Sequence, residues 1–228
     1  MNSTPLIPDS IAELLQPYIG ASRPDQLEAA TSAPDWPQIY DQLALYLELI
    51  LKWNARINLT AIRTPQEIVR RHFGESLFAG LHLGACNSLL DFGSGAGLPG
   101  IPIQVLRPDI SVTLAESRTR KAAFLREVIR TLGLPTEVWA DRVESMPPSC
   151  RFDTVTLRAV DQMDSAIHEA ARRAEHRVLI LSTLGTSHQL SAPLADDFRM
   201  PEPVPLPESH DGVLLIARRH MGIPSPAK

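Results

Sequence analysis

The sequence predicts an α/β fold: a mostly parallel sheet with helices on both faces, preceded by a helical extension. Three observations predict it. Short apolar runs at Ser88–Phe92, Val112–Ala115, Thr136–Ala140, Thr154–Leu157 and Arg177–Ser182 are separated, early on, by helical stretches, which is the alternation of parallel strands with crossover helices. The first run ends in Asp91-Phe92-Gly93-Ser94-Gly95-Ala96-Gly97-Leu98-Pro99-Gly100, a glycine-rich turn with a proline where a helix begins. Nothing before residue 85 alternates in this way, so residues 1–85 form the extension and residues 86–228 the sheet domain.

In the extension, Asp35 caps and Pro37 starts a helix whose Leu43, Tyr46, Leu47, Ile50 and Leu51 recur at helical spacing. Two shorter helical segments are expected before it, around Ile11–Tyr18 and Pro24–Ala30. The chain turns through Asn58-Leu59-Thr60, and another helix starts near Pro65 with Glu67, Arg70 and Arg71. In the sheet domain, Arg118–Leu132 is a helix with Phe124, Leu125, Val128, Ile129 and Leu132 as its apolar stripe, and Gly133 suits the position after its end. Prolines 193, 201, 203, 205 and 207 then predict a loop or an edge connection. Val213–Arg218 is a last strand, paired antiparallel with a neighbour, and the tail Gly222–Lys228 is expected to be disordered.

At 228 residues the chain can build its own core, and 44% hydrophobic with 21% charged residues is ordinary for a soluble protein. No apolar stretch approaches the ~20 residues a membrane helix needs, and residues 1–9 lack the pattern of a signal peptide. Cys86 and Cys150 make neither a disulfide framework nor a metal-ligand spacing. The expectation is a cytoplasmic protein without a metal. A net charge of -4 argues against coating nucleic acid by bulk charge. Arginines nevertheless cluster locally, as Arg56, Arg63, Arg70 and Arg71 and again from Arg107 to Arg130, and such sets serve either as solvated faces or as basic patches.

Glycine lets a backbone turn sharply and approach a ligand closely, and the helix behind such a turn points free N–H groups at that ligand. Glu116 follows by about 20 residues at the end of the second strand, where doubly wound folds hold a ribose hydroxyl. Asp141-Arg142-Val143-Glu144 follows the third strand and can line the base pocket. Dinucleotides favour G-x-G-x-x-G with pyrophosphate on the helix. Here the spacing is Gly93-x-Gly95-x-Gly97 after Asp91, a carboxylate that repels pyrophosphate and suits the ammonium and cationic sulfur of S-adenosylmethionine. A purely structural turn is the remaining alternative.

Three stretches together resemble the bacterial 16S rRNA guanine-N7 methyltransferases, also called glucose-inhibited division protein B. Trp53-Asn54-Ala55-Arg56-Ile57-Asn58-Leu59-Thr60 is similar to the family's W-N-x-x-I-N-L-T. Arg71-His72-Phe73-Gly74-Glu75-Ser76 resembles R-H-F-x-D-S, and Asp91–Ile101 resembles D-x-G-x-G-A-G-x-P-G-I. The likeness implies a class I (Rossmann-like) methyltransferase with a seven-stranded sheet. It further implies methyl transfer from S-adenosylmethionine to a guanine N7 in the 530 loop of 16S rRNA. The expected cofactor set is Asp91, Gly93, Ser94, Gly95, Gly97, Leu98, Glu116, Asp141, Arg142, Val143, Glu144 and Arg158. Arg158 and Lys121 are the catalytic candidates, and Arg56, Arg71, Arg120 and Lys121 the substrate contacts. Arg158 holds guanine O6 or a phosphate, or else pairs with Asp153 or Asp161. His72 packs beneath the loop as a core residue or else takes part in catalysis, and Arg118 contacts phosphate or lies on the surface. Leu184 stands where the family carries a lysine after the fifth strand, and Glu75 where it carries an aspartate. The partner is 16S rRNA or the 30S subunit, met by a monomer. Two alternatives stand beside this reading: a methyltransferase with another substrate, and a non-catalytic RNA-binding assembly factor.

Overall fold

The computed structural model describes residues 6–21, 33–191, 194, 197–199 and 202–220; the helix expected at residues 24–30 and the tail from residue 222 lie outside them. The extension opens with α1 (Pro8–Gly20) and α2 (Trp36–Asn54). Asp35 caps α2 as expected, its side chain accepting from the Gln38 N–H at 3.2 Å. Leu43, Tyr46, Leu47 and Ile50 are buried from α2, and each such side chain contributes roughly 2 kcal/mol of transfer free energy.

The helix expected near Pro65 forms and has an unusual middle. A short turn, α3 (Pro65–Glu67), leads into a π-helix over Ile68–Gly74, which runs straight into α4 (Glu75–Leu81). Thr64 and Glu67 start it reciprocally, the Thr64 hydroxyl donating to Glu67 Oε2 at 2.6 Å and accepting from the Glu67 N–H at 3.4 Å. Gly74 is required by packing, because a Cβ there would lie 2.5 Å from the ring of Tyr18 on α1.

The sheet follows in the predicted alternation: β1 (Ser88–Phe92), α5 (Gly100–Leu106), β2 (Ser111–Ala115), α6 (Thr119–Leu132), β3 (Glu137–Trp139), β4 (Phe152–Arg158), α7 (Met163–Arg173), β5 (Ala174–Thr183), α8 (Leu184–Ser191), β6 (Phe198–Arg199), β7 (Val204–Pro205) and β8 (Gly212–Arg219). Strands β1 to β5 are parallel in the order β3-β2-β1-β4-β5, and β8 joins β5 antiparallel. The six strands expected from the apolar runs are present, and among the described residues the sheet has eight strand segments where the resemblance implies seven. Two dipeptides, β6 and β7, share the outer edge of β8, and Pro203, just before β7, supplies no ladder N–H.

Successive side chains alternate between two cores. Leu89, Leu179, Leu181, Leu214 and Ile216 pack with the extension, α5 and α6. Leu90, Val155, Leu157, Val178, Ile180 and Leu215 pack with α7, Leu190 and Phe198. The extension thus shares one continuous core with the sheet, and its helices roof the C-terminal ends of β1 and β4.

Candidate functional site

A cleft of about 510 Å³ opens at the C-terminal ends of β1, β2 and β4, within the range of small-molecule sites and at the end where such sheets bind ligands. Its floor is the loop after β1. Gly93 and Gly95 line the cleft with φ of 69° and 59°, a conformation that strains any side chain. Ser94 is pinned beneath them, its N–H donating to Ala115 O at 2.9 Å and its hydroxyl to Asp91 O at 3.0 Å. Leu98 completes the floor. Gly97 serves a different purpose from the one expected, since it faces away from the cleft. With φ of 87°, its Cβ would sit 2.6 Å from Ile101 and 3.0 Å from both Leu125 and the Tyr46 hydroxyl, so its missing side chain is filled by packing.

Asp91 also departs from its expected direct role. It is fully buried below the loop. Oδ2 accepts from the Gly100 N–H at 3.1 Å and Oδ1 from the Thr156 hydroxyl at 3.0 Å. It therefore caps α5 and ties β1 to β4, and is not itself among the residues that line the cleft. Burial raises its pKa to about 6, against the pull of its hydrogen bonds and of Arg158. Glu116 is where the sequence places it, on the cleft wall. Its carboxylate accepts from the Gly95 N–H at 3.0 Å and the Arg118 N–H at 2.7 Å. Asp141, Arg142, Val143 and Glu144 line the far end, where the Arg142 carbonyl accepts from Trp139 Nε1 at 3.0 Å and the Ser145 hydroxyl at 2.7 Å.

The opposite wall comes from the extension. Thr60 and His72 line it, joined at 2.7 Å between Oγ1 and Nε2. His72 is thus a wall of the cleft as well as a packed residue. Burial first, then the charges of Arg158 and Arg71, depress its pKa to about 3, so the ring is neutral at physiological pH. Arg158 lines the cleft as expected, with a partner the sequence reading missed. Its Nη2 donates to Glu75 Oε2 at 2.5 Å and to Arg71 O at 3.0 Å, instead of pairing with Asp153 or Asp161. Burial raises the pKa of Glu75 while Arg158 and Arg71 pull it back. His72 Nδ1 and Arg158 Nη1 are closed off from solvent without a hydrogen-bond partner, a costly state that a ligand's polar group relieves. Tyr46 was also missed as a site residue: its hydroxyl donates to the Ala96 carbonyl in the loop. Glu75 lies in the same short motif as His72, and Tyr46 on the apolar face of α2, but spacing along the chain assigns a partner to neither.

The expected substrate cations divide. Lys121 lines the cleft, as does Arg118, whose guanidinium reaches Asp161 at 3.4 Å. Arg56, Arg71 and Arg120 are exposed outside the cleft, and Arg71 lies 3.9 Å from Glu75. Arg107, from the same basic set, is structural, binding Asp109 through two nitrogens at 2.8 Å. Leu184 is 54% exposed at the end of β5, and its N–H donates to Asp211 O at 2.7 Å.

The donor and acceptor set fits S-adenosylmethionine. Glu116 can still accept from ribose hydroxyls, and a Cβ at Gly95 would meet only Gly93 O at 3.8 Å and Lys121 Nζ at 3.9 Å, leaving the loop open to a ligand.

Comparison with known proteins agrees. The N-methyltransferase NodS from Bradyrhizobium japonicum WM9, solved with S-adenosyl-l-homocysteine, superposes with a TM-score of 0.55 over 80% of this chain and 99% of its own, at 16% identity; that likeness concerns the fold. In sequence, the ribosomal RNA small subunit methyltransferase G of Chromobacterium violaceum is 43% identical over 58% of this chain and 63% of its own length. That of Stenotrophomonas maltophilia K279a is 36% identical over 90% and 92%. The model of the GidB family, rRNA small subunit methyltransferase G, matches residues 39–191, a span that takes in the Thr60–His72 wall, the glycine loop and Arg158. The chain therefore belongs to the rRNA small subunit methyltransferase G family.

Proposed function

We propose that the chain is an S-adenosylmethionine-dependent methyltransferase acting on N7 of a guanine in the 530 loop of 16S rRNA. S-Adenosylmethionine, when bound, supplies an electrophilic methyl group on a sulfonium. The observation that carries the reading is the cleft itself, whose glycine loop, Thr60–His72 wall and Arg158 all fall within the span that the family model matches. Among the residues that line it, His72 has a pKa lowered to about 3, so its ring is a poor proton acceptor. Guanine N7 suits such a site, because its lone pair is free and there is no proton to remove.

Gly93, Ser94, Gly95 and Leu98 cradle the donor from below, Glu116 accepts from its ribose, and Asp141–Glu144 bound the pocket for its base. Asp91 and Gly97 act through the loop, holding its backbone in place. Arg158 is oriented by Glu75 and Arg71, and turns the edge of its guanidinium toward the reacting base or its phosphate. Lys121 stands at the mouth, suited to a phosphate, with Arg71, Arg120 and Arg56 further out on the path of the RNA. Positioning alone can supply ~7 kcal/mol or more of barrier reduction, so the transfer needs neither a metal nor a general base. In this reading the chain acts as a monomer. Among the described residues no helix is long and apolar enough to cross a membrane, in keeping with a cytoplasmic partner such as the 30S subunit.

The test is methyl transfer to 16S rRNA and to 30S subunits lacking the modification, with N7-methylguanosine mapped by strand cleavage at the modified base. One modified guanine in the 530 loop is expected. No incorporation while S-adenosylmethionine still binds would overturn the reading and favour a non-catalytic assembly factor. Incorporation at another atom would overturn the N7 assignment.

A further inference from the structure

Far from the cleft, the sheet register assembles a feature that the methyl-transfer site does not use. Arg177 on β5 pairs directly with Arg218 on β8, and Arg218 pairs directly with Arg199 on β6. Directly paired residues share a face of the sheet, so three arginines form a row across three adjacent strands and end at the sheet edge. The row belongs to the face on which Leu179 and Ile216 are buried, one step beyond those residues. Along β5, Arg177 lies four residues before Leu181, the partner of Arg158, which places the row about 13 Å from that level of the cleft at the strand rise of ~3.3 Å per residue.

Like charges directly opposite each other on a sheet are destabilising, and the row's neighbours do little to neutralise it. Arg177 is half-buried and donates to Ala85 O at 2.5 Å. Arg218 and Arg199 are exposed, and no carboxylate of the described residues forms an ion pair with either. Among the described residues, three acids nearby have other partners. Asp153 accepts from the Asn87 N–H at 2.7 Å, Glu175 lies 3.7 Å from Arg151, and Asp197 lies 3.7 Å from Arg219, whose guanidinium stacks on Phe198 on the other face of the sheet. Asp153 also acts on Arg177, but among the described residues Arg218 and Arg199 have no ion-pair partner, so the exposed end of the row calls for an external anion with a repeat.

We infer that the Arg177–Arg218–Arg199 row is a second RNA-binding surface, which grips the phosphodiester backbone of the substrate rRNA away from the methylated base. Guanidinium forks match phosphate oxygens two at a time. Strands ~4.8 Å apart space three long, flexible side chains so that they meet successive phosphates of one nucleic-acid strand. An acidic protein segment offers no comparable regular repeat. The role rests on the chain acting on rRNA, and it explains how a protein of net charge -4 holds a large polyanion: local rows supply what bulk charge does not.

The test uses the full chain and the double variant Arg199→Gln/Arg218→Gln, with Arg199→Lys/Arg218→Lys as the charge-preserving control. Binding to protein-free 16S rRNA and to 30S subunits is measured as a function of KCl concentration. Losing two phosphate contacts is expected to make the slope of log K against log[salt] shallower by about 1.5 and to weaken binding about tenfold near 0.1 M salt. KM for RNA rises accordingly, while kcat at saturating RNA and S-adenosylmethionine affinity stay unchanged. The Lys pair keeps most of the slope. Because the row is repulsive, the Gln pair melts at the same temperature or higher. An unchanged slope, or a loss of affinity matched by a fall in melting temperature, overturns the proposal. So does a loss seen with 30S subunits but not with protein-free rRNA, which would mark a ribosomal protein as the partner. Wild-type methylation run in parallel separates the two readings: a changed slope without N7 methylation removes the proposed reaction, and N7 methylation with an unchanged slope removes only the row.

Discussion

The two walls of the cleft are built on opposite principles. The glycine-loop wall is local. Gly93, Ser94, Gly95 and Leu98 come from one short run, offer mainly backbone groups, and are fixed by Asp91 and Gly97 from within that run. The facing wall is assembled from a distance. Thr60 meets His72 across a turn and a helix start, and Arg158 reaches back to Glu75 and Arg71 from the far end of β4. A local wall can be encoded by a motif, whereas a distant wall exists only once the extension has packed on the sheet. The π-helix belongs to this second wall: it carries His72 into the cleft and the Arg71 carbonyl to Arg158, in line with the frequent use of such segments at functional sites.

Breaking the distant wall is expected to have the largest effect. Glu75→Gln strands a largely buried guanidinium and should cost about 3 kcal/mol of stability, read from denaturant unfolding, with a matching loss of methyl transfer. An unfolding free energy within about 0.5 kcal/mol of wild type would show that Arg158 finds another partner.

Breaking the local wall costs somewhat less. Gly97→Ala puts a side chain at positive φ against Ile101, Leu125 and Tyr46 and should cost about 2 kcal/mol. Differential scanning calorimetry with and without S-adenosylmethionine checks it, and the ligand-induced rise in melting temperature should shrink as well.

Acid sharpens the contrast, because His72 belongs to the distant wall. Its folded pKa of about 3 lies below the ordinary value near 6.5, so the unfolded chain binds the extra proton between those two values. Stability from this group is therefore complete above pH ~6.5 and is lost as pH falls, reaching about 2 kcal/mol at pH 5. Asp91, with a pKa raised to about 6, has the opposite sign: the folded chain holds the proton longer, so its contribution fades as pH rises from ~4 to ~6. In His72→Gln the stability difference between pH 7 and pH 5 should shrink by about 2 kcal/mol in urea titrations at the two pH values. An unaltered difference would mean that the ring is not held neutral.

The smallest effect lies outside both walls. Leu184→Lys, at an exposed position, should change stability by less than about 0.5 kcal/mol. The same change adds a cation at the end of β5 and should steepen the salt dependence of rRNA binding by about 1, read by filter binding.

The sequence made the local wall legible and hid most of the distant one. The alternation of strands and helices, the glycine loop, Glu116 and the Asp141–Glu144 segment could be read because contiguous residues report their own backbone needs. Asp91 and Gly97 were placed in the right loop with the wrong task. Whether a carboxylate faces a ligand or a helix N-terminus depends on Thr156 and Gly100, and whether a glycine makes room for a ligand or for Ile101 depends on packing. Glu75 as the partner of Arg158 could not be read at all, since spacing along a chain says nothing of which helix end will meet which strand end. The π-helix was likewise invisible, because its i→i+5 bonding leaves no periodic signature over Ile68–Gly74.

The contact between the Tyr46 hydroxyl and the Ala96 carbonyl makes the extension and the glycine loop thermodynamically reciprocal. An opening of α2 that breaks this contact weakens the hold on the methyl donor, and the bound donor opposes that same opening, read as slower hydrogen exchange of the amides it frees, by the same coupling free energy. A helix that never meets the ligand thereby becomes a gauge of its occupancy.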